Sequence, residues 1–283
     1  MAKAPAYFGF WYRLGTWLLK STSWLVLFFL IMPILVIIPL SFNVEPFFSF
    51  TKGMLTFQPE AYSMRWYSAI FSDPKWVLAI KNSFFIGICA TVIATALGTC
   101  AAVGLARDDM PARRLITALL LSPMIVPLII TAAGMFFFYS DLGLAGNYLG
   151  VILAHAALGT PFVIITVTAT LAGFDYSLVR AGLNLGARPV RVFWDIIMPL
   201  IRPGVISGAL FAFITSFDEV VVILFMAGPQ QRTIPRQMFS GLREQINPSI
   251  LAIATLLIIL SIIMLVTIEL LRRRSARLRG VEA

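Results

Sequence analysis

The sequence predicts an all-α polytopic membrane protein with six transmembrane helices. Three observations carry this. Apolar residues make up 59% of the 283 residues and charged residues only 12%, against roughly 45–50% and about 25% in ordinary soluble domains. Six separate stretches are apolar for the ~20 residues that a helix needs to cross a bilayer core of about 30 Å. The basic residues gather beside those stretches, so the net charge of +9 reads as membrane topology before nucleic-acid affinity. The same composition excludes a disordered chain, a small disulfide scaffold and an ordinary soluble enzyme.

The aromatic stretch Ala6-Tyr7-Phe8-Gly9-Phe10-Trp11-Tyr12-Arg13 reads either as a helix lying in the headgroup layer or as an aromatic belt before the first span. That span, 24–42, is uncharged. It is longer than the ~7–15-residue core of a cleaved leader, and no small-x-small site follows it, so it is expected to remain as a helix. Residues 43–76 are mixed in composition and punctuated by Pro46, Pro59 and Pro74; a short helix is expected around 61–71. The second span, 83–105, carries Ala90, Ala94, Gly98 and Ala102 at intervals of four, a small-residue stripe that lets another helix approach closely. Its two cysteines, Cys89 and Cys100, would stand roughly 16 Å apart along a helix, beyond the ~7 Å that a disulfide tolerates. With one histidine, His155, and no C-x-x-C motif, no metal or thiol redox site and no cofactor is expected.

The third span, 115–138, contains Pro123 and Pro127. The fourth, 149–174, contains His155 and Pro161. The fifth, 204–226, contains Asp218 and Glu219, and the sixth, 250–271, leads into Arg272, Arg273 and Arg274. His155 reads first as a hydrogen-bonded packing residue, with a functional role as the alternative. Fifteen basic residues fall in the N-terminal stretch, the second-to-third loop, the fourth-to-fifth loop and the C-terminus, against seven on the other side. Both termini are therefore expected to face the cytoplasm.

The fourth-to-fifth loop, 175–202, is long against the usual 2–8 residues or so between helices, yet it is patterned. Asp175 suits a helix start, Leu178, Ala181 and Leu185 recur at helical spacing, Gly186 suits a helix end and Pro189 suits the first turn of a second helix. A folded helix–Gly–helix protruding from the membrane reads as a docking surface; two helices lying on the bilayer are the alternative.

Within this loop, Arg180-Ala181-Gly182-Leu183-Asn184-Leu185-Gly186, then nine residues, then Ile196-Ile197-Met198-Pro199 resembles the EAA loop of the membrane subunits of binding-protein-dependent ABC importers. The family pattern is Glu-Ala-Ala, three residues, Gly, nine residues, Ile-x-Leu-Pro. Ala181, Gly186, Ile196 and Pro199 match it; Arg180, Gly182 and Met198 depart from it. Leu55-Thr56, Asn82-Ser83 and Asn247-Pro248 also look like this family. Ser216-Phe217-Asp218-Glu219 followed by Thr233-Ile234-Pro235-Arg236-Gln237-Met238-Phe239-Ser240-Gly241 looks most like its spermidine/putrescine-type permeases.

The resemblance implies the type I importer permease fold, with spans two to six as the core and the first helix wrapping a second, homologous permease. It implies two ATPase subunits, a periplasmic substrate-binding protein, the lipid bilayer as solvent and no nucleic acid. Residues Arg180, Ala181, Gly182, Gly186, Ile196 and Pro199 would couple to the ATPase. No Walker-type Gly-x-x-x-x-Gly-Lys is present, so the chain is expected to transduce rather than hydrolyse ATP. The expected organisation is a cytoplasmic interfacial segment 1–21, a first transmembrane helix 22–43, a periplasmic segment 44–80, a permease core 81–272 with the coupling loop 175–202, and a cytoplasmic basic tail 273–283, all in a bacterial inner membrane.

Asp218 and Glu219 carry the chemistry of the fifth span. A carboxylate at the centre of a membrane helix costs about 2.5–3.5 kcal/mol unless paired or wetted. The pair reads as part of a path for a cationic solute, with Phe217 adding cation–π attraction. The alternatives are an interface pair satisfied by an arginine or a polar group of the partner permease, or snorkelling of one acid. A polyamine is the expected cargo; an opine, iron or another amine would use the same frame. A secondary transporter is a rival class, but such folds show inverted repeats and paired broken helices, and no repeat is visible here. An intramembrane enzyme would need a convergent nucleophile–base or metal set, for which the sequence offers little material.

Overall fold

The computed structural model describes residues 9–107, 109–244 and 247–278, with the side chains of Arg13, Glu244 and 271–278 also left aside. Expectations on Lys3, on residues 6–8 of the aromatic stretch and on residues 279–283 of the tail lie outside the described residues. Among those described, the regular structure is helical apart from one antiparallel bridge between Asn43 and Tyr62.

Five helical runs are long and apolar enough to span a membrane: Phe10–Leu40, Pro74–Leu105, Tyr148–Leu171, Pro189–Asp218 and Ser249–Leu270. A sixth candidate is a helix pair, Arg113–Ile125 and Leu128–Asp141, bent by 105°. The expected third span is thus not one straight helix. Pro127 lacks an N–H, and its ring drives Val126 out of the helical region to φ −69° and ψ 135°.

The chain divides into two compact units, residues 1–70 with 245–260 and residues 71–244 with 261–283. The first contains α1 (Phe10–Leu40), α2 (Lys52–Leu55) and most of α3 (Arg65–Ser72). Helix α1 runs unbroken from Phe10 through the apolar run, and its apolar side chains are largely exposed, as suits a lipid- or partner-facing helix. Beyond it the chain is knotted around Asn43, which is fully buried. Its Nδ2 donates to the carbonyls of Phe47 and Ser49, its Oδ1 accepts from the Glu45 amide, and its own carbonyl accepts from the Trp66 indole at 2.7 Å. Each polar atom of a buried amide is thereby satisfied, as burial demands.

The second unit contains α4 (Pro74–Leu105), α5 (Arg113–Ile125), α6 (Leu128–Asp141), α7 (Tyr148–Leu171), α8 (Ser177–Asn184), α9 (Pro189–Val192), α10 (Met198–Asp218), α11 (Val221–Met226) and α12 (Ile234–Glu244). The last helix, α13 (Ser249–Leu278), contributes to each unit in turn. Three long helices, α4, α7 and α10, pack on one another. Helices α7 and α10 run antiparallel in a fixed register: Ser216 meets His155, Ala212 meets Gly159, Gly208 meets Val163 and Thr166, and Gly204 meets Thr166 and Thr170. Residues 204, 208, 212 and 216 are all small, which is what lets two backbones approach without a hydrophobic driving force between them. A Cβ on Gly208 would lie 2.8 Å from the Cα of Val163, too close for a backbone atom to yield. The Ala90-Ala94-Gly98-Ala102 stripe of α4 is buried, and Gly98 abuts Val163 and the Thr160 carbonyl.

Candidate functional site

Two places gather the residues singled out by sequence. The first is the α7–α10 connection. Asp175 accepts from the Ser177 amide at 2.8 Å and from its hydroxyl at 2.7 Å. These bonds hold its carboxyl below the ordinary carboxylate range and fix the entry to α8. At the far end, the Ala187 amide donates to Gly182 O and the Gly186 amide to Leu183 O, with Gly186 at φ +82°. This is a Schellman ending, whose left-handed residue is most often glycine. Pro189 then occupies the first turn of α9.

Helix α9 does not stop. It passes through a wide π turn at Phe193–Ile197 and continues as α10. The Met198 amide bonds back to Phe193 O, which absorbs the residue-count mismatch just before Pro199, a residue with no N–H to give. Asp195 within the turn pairs with Arg191 at 3.1 Å.

Arg180, Ala181, Gly186 and Pro199 are exposed, Ile196 is half-buried and Gly182 is buried. Gly182 sits against the second helical piece: a Cβ there would lie 2.8 Å from Ile196 Cδ1 and 3.4 Å from Val192 Cγ2. The two helical pieces of the loop therefore pack on each other. Leu183, Leu185, Val190 and Trp194 are exposed along it, with Leu185 88% exposed. Such an apolar set on a loop is suited to covering by another protein.

The second place is the end of α10. The expected fifth span does not carry its two acids inside one helix. Helix α10 ends at Asp218, Glu219 is extended at ψ 122°, and α11 begins at Val221. Glu219 is 7% exposed, and its Oε1 accepts from the Val222 amide at 2.8 Å. A buried carboxylate is thereby spent on an otherwise orphaned helix N-terminus, where the dipole favours it. Asp218 is exposed. Phe217 lies 5.2 Å from Phe84 and 5.3 Å from Phe213, ring centre to ring centre, and a Cβ on Gly87 would lie 3.1 Å from the Phe213 ring.

Below the break, His155 and Ser216 are buried and their Nδ1 and Oγ lie 2.8 Å apart. Above it, Asn82 donates to the carbonyls of Gln230 and Arg232, and Ser83 Oγ accepts from the Ile234 amide at 2.8 Å. Arg236 reaches back to the carbonyls of Ala227 and Gly228 at 2.8 and 2.9 Å, closing the C-terminal end of α11. The Asn82-Ser83 and Thr233–Arg236 signatures are thus parts of one clamp. The break itself escaped sequence reasoning: Val220, Val221 and Val222 follow the acids and are poor helix formers, yet Val221 and Val222 open α11, so local propensity does not mark it.

Residues 94–277 match the binding-protein-dependent transport system inner membrane components. Over 247 residues the chain is 30% identical to the spermidine/putrescine transport system permease protein PotC of Haemophilus influenzae, spanning 87% of this chain and 93% of that one. It is 32% identical to the putrescine transport system permease protein PotI of Escherichia coli K12, over 81% of this chain and 82% of that one. The fold is similar to that of a bacterial ABC transporter involved in import of the acidic polysaccharide alginate, with a TM-score of 0.72 and 16% identity over 94% of this chain and 99% of that one.

Proposed function

The chain belongs to the family of binding-protein-dependent transport system inner membrane components, and from that premise we propose that it imports a polyamine such as spermidine or putrescine by ATP-driven alternating access. The observation that carries the substrate class is the likeness, along more than four-fifths of the chain, to permeases named for spermidine and putrescine. The exposed Asp218, next in sequence to Phe217 with its Phe84 and Phe213 ring contacts, supports it, since carboxylate and aromatic faces both attract ammonium groups.

In this reading α8, the Gly186 turn and α9 seat on an ATPase subunit, with Arg180, Ala181, Gly182, Gly186, Ile196 and Pro199 forming or shaping that contact. Hydrolysis belongs to that separate subunit. Two ATPases, a second homologous permease and a periplasmic substrate-binding protein complete the importer. The chain is a multi-pass inner-membrane protein whose termini and α7–α10 loop lie in the cytoplasm. The five-helix core of residues 81–272, preceded by the first transmembrane helix and the periplasmic segment 44–80, forms half of the pathway. Asp218 and Phe217 line it, and Glu219 holds its shape.

Purification from membranes followed by reconstitution tests the reading. An ATPase, a second permease and ATP-dependent uptake of labelled spermidine or putrescine are expected together. Co-purification with uptake of an opine or iron instead would keep the importer class and remove the polyamine.

A further inference from the structure

Beyond the transport path, the second unit carries a cleft of about 690 Å³ between α4, α5 and α7, within the range of roughly 300–1,000 Å³ typical of ligand sites. Its wall is mostly apolar, with Leu105 at the end of α4, Ala118 and Leu121 along α5, and Ile164 and Ile165 on α7; Thr117 and Thr168 are the polar exceptions. Two guanidiniums, Arg113 and Arg114, stand on one side of it. The arginines open α5 directly after the 106–112 connection, Leu105, Ile164 and Ile165 belong to helices long and apolar enough to span a membrane, and Ala118 and Leu121 belong to the first half of the bent pair. The charged side of the cleft therefore adjoins the connection, while Ala118, Leu121, Ile164 and Ile165 lie further along their helices.

Among the described residues the cleft is lined by no acid. The ion pairs among the described residues are Arg107–Asp109 and Arg191–Asp195, so neither Arg113 nor Arg114 is matched there. Helix α5 has no side-chain cap, and the positive end of its dipole adds to the field. An amphiphile with an anionic head and an apolar tail satisfies both parts at once, whereas an ammonium-bearing solute would be repelled.

We propose that this cleft binds an anionic phospholipid, its phosphate held by Arg113 and Arg114 and one acyl chain lying along Leu105, Ala118, Leu121, Ile164 and Ile165. Guanidinium forks match phosphate oxygens in pairs, and basic pockets between membrane helices are a recurrent lipid-headgroup device. The bound lipid would brace the packing of α5, the first half of the bent pair, against α7.

The test is native mass spectrometry of the full chain, purified with its accompanying subunits and exchanged into equal amounts of phosphatidylglycerol and phosphatidylcholine. Phosphatidylglycerol should be retained preferentially. Preference should fall by roughly fivefold for each arginine removed in Arg113→Gln and Arg114→Gln, while Arg113→Lys with Arg114→Lys keeps part of it. Ala118→Trp fills the apolar wall and should lose the lipid with both arginines intact. Equal retention of the two lipids, or unchanged preference in the Gln and Trp variants, overturns the proposal. Complete displacement by inorganic phosphate would make it a free-anion site, and cross-linking of Thr117→Cys to a second permease would make it a protein interface; either result overturns it too. Matched melting temperatures for wild type and variants separate lost binding from lost fold.

Discussion

His155 Nδ1 lies 2.8 Å from Ser216 Oγ, with both side chains buried where α7 crosses the last turn of α10. Among the described residues His155 Nε2 has no hydrogen-bond partner, so Ser216 supplies the polar contact that secures this end of the α7–α10 seam. The contact lies just before the chain breaks at Glu219, so the seam ends where α10 does.

Ser216→Ala should therefore weaken the seam modestly, by about 0.6–1.7 kcal/mol, the usual worth of a hydrogen bond between membrane helices. Gly208→Val should cost more, about 1–3 kcal/mol, because its Cβ would stand 2.8 Å from the Val163 Cα. Thermal melting of the detergent-solubilised protein ranks the two; the opposite ranking would mean that the small residues are not what holds these helices together.

Gly186→Val places a β-branched residue at φ +82°, a strain of about 1–2 kcal/mol. Expression should persist while substrate-stimulated ATPase activity of the reconstituted complex drops, because the Schellman turn sets the angle between α8 and α9. Gly186→Asn, which tolerates the left-handed region better, should recover part of the activity. Full coupling in the Val variant would detach this turn from the ATPase.

Asp218 and Glu219 should separate on one pair of measurements. Asp218→Asn is expected to lower uptake of a cationic substrate with no change in melting temperature, since the side chain is exposed. Glu219→Gln keeps a carbonyl acceptor for the Val222 amide and should preserve the fold, whereas Glu219→Ala removes that acceptor and should cost about 0.5–2 kcal/mol. Normal transport by the Asp218→Asn, Glu219→Gln double variant would reduce the acids to a structural role and withdraw the chemical support for a polyamine.

Arg180 is exposed on α8, so Arg180→Glu reverses a charge on the proposed docking face without disturbing the helix. The yield of intact complex should fall, and fall further at low salt, where the interaction is less screened. A rise in yield would mean that no acidic partner faces Arg180.

Gly182→Ala restores the residue that the resembled loop pattern carries. The new methyl meets the mobile end of Ile196 at 2.8 Å, a clash that a side-chain rotation relieves. The better helix propensity of alanine returns up to about 1 kcal/mol. Stability should stay within about 0.5 kcal/mol of wild type, and Ile196→Val in the same chain should tip it upward. A large loss would show that α8 and α9 cannot adjust to one added carbon.

What the sequence determined by itself are properties that repeat along one segment. A membrane span must satisfy its backbone hydrogen bonds internally and be apolar for its whole length, so the runs at 24–42, 83–105, 149–174 and 250–271 are legible without any neighbour. The helix–Gly–helix of the α7–α10 loop is equally local: the left-handed turn at Gly186 and the first-turn Pro189 depend on their own backbone preferences. Tertiary structure decided what depends on two segments at once. The small residues at 204, 208, 212 and 216 reveal a packing face but not its partner; the register against His155, Gly159, Val163 and Thr170 exists only once α7 lies beside α10. Proline content did not distinguish Pro123, kept inside α5, from Pro127, where the chain turns by 105°. Asp218 and Glu219 are adjacent acids in the sequence, yet one is exposed and the other caps α11, because the cost of burying a carboxylate depends on which amides the fold brings within reach.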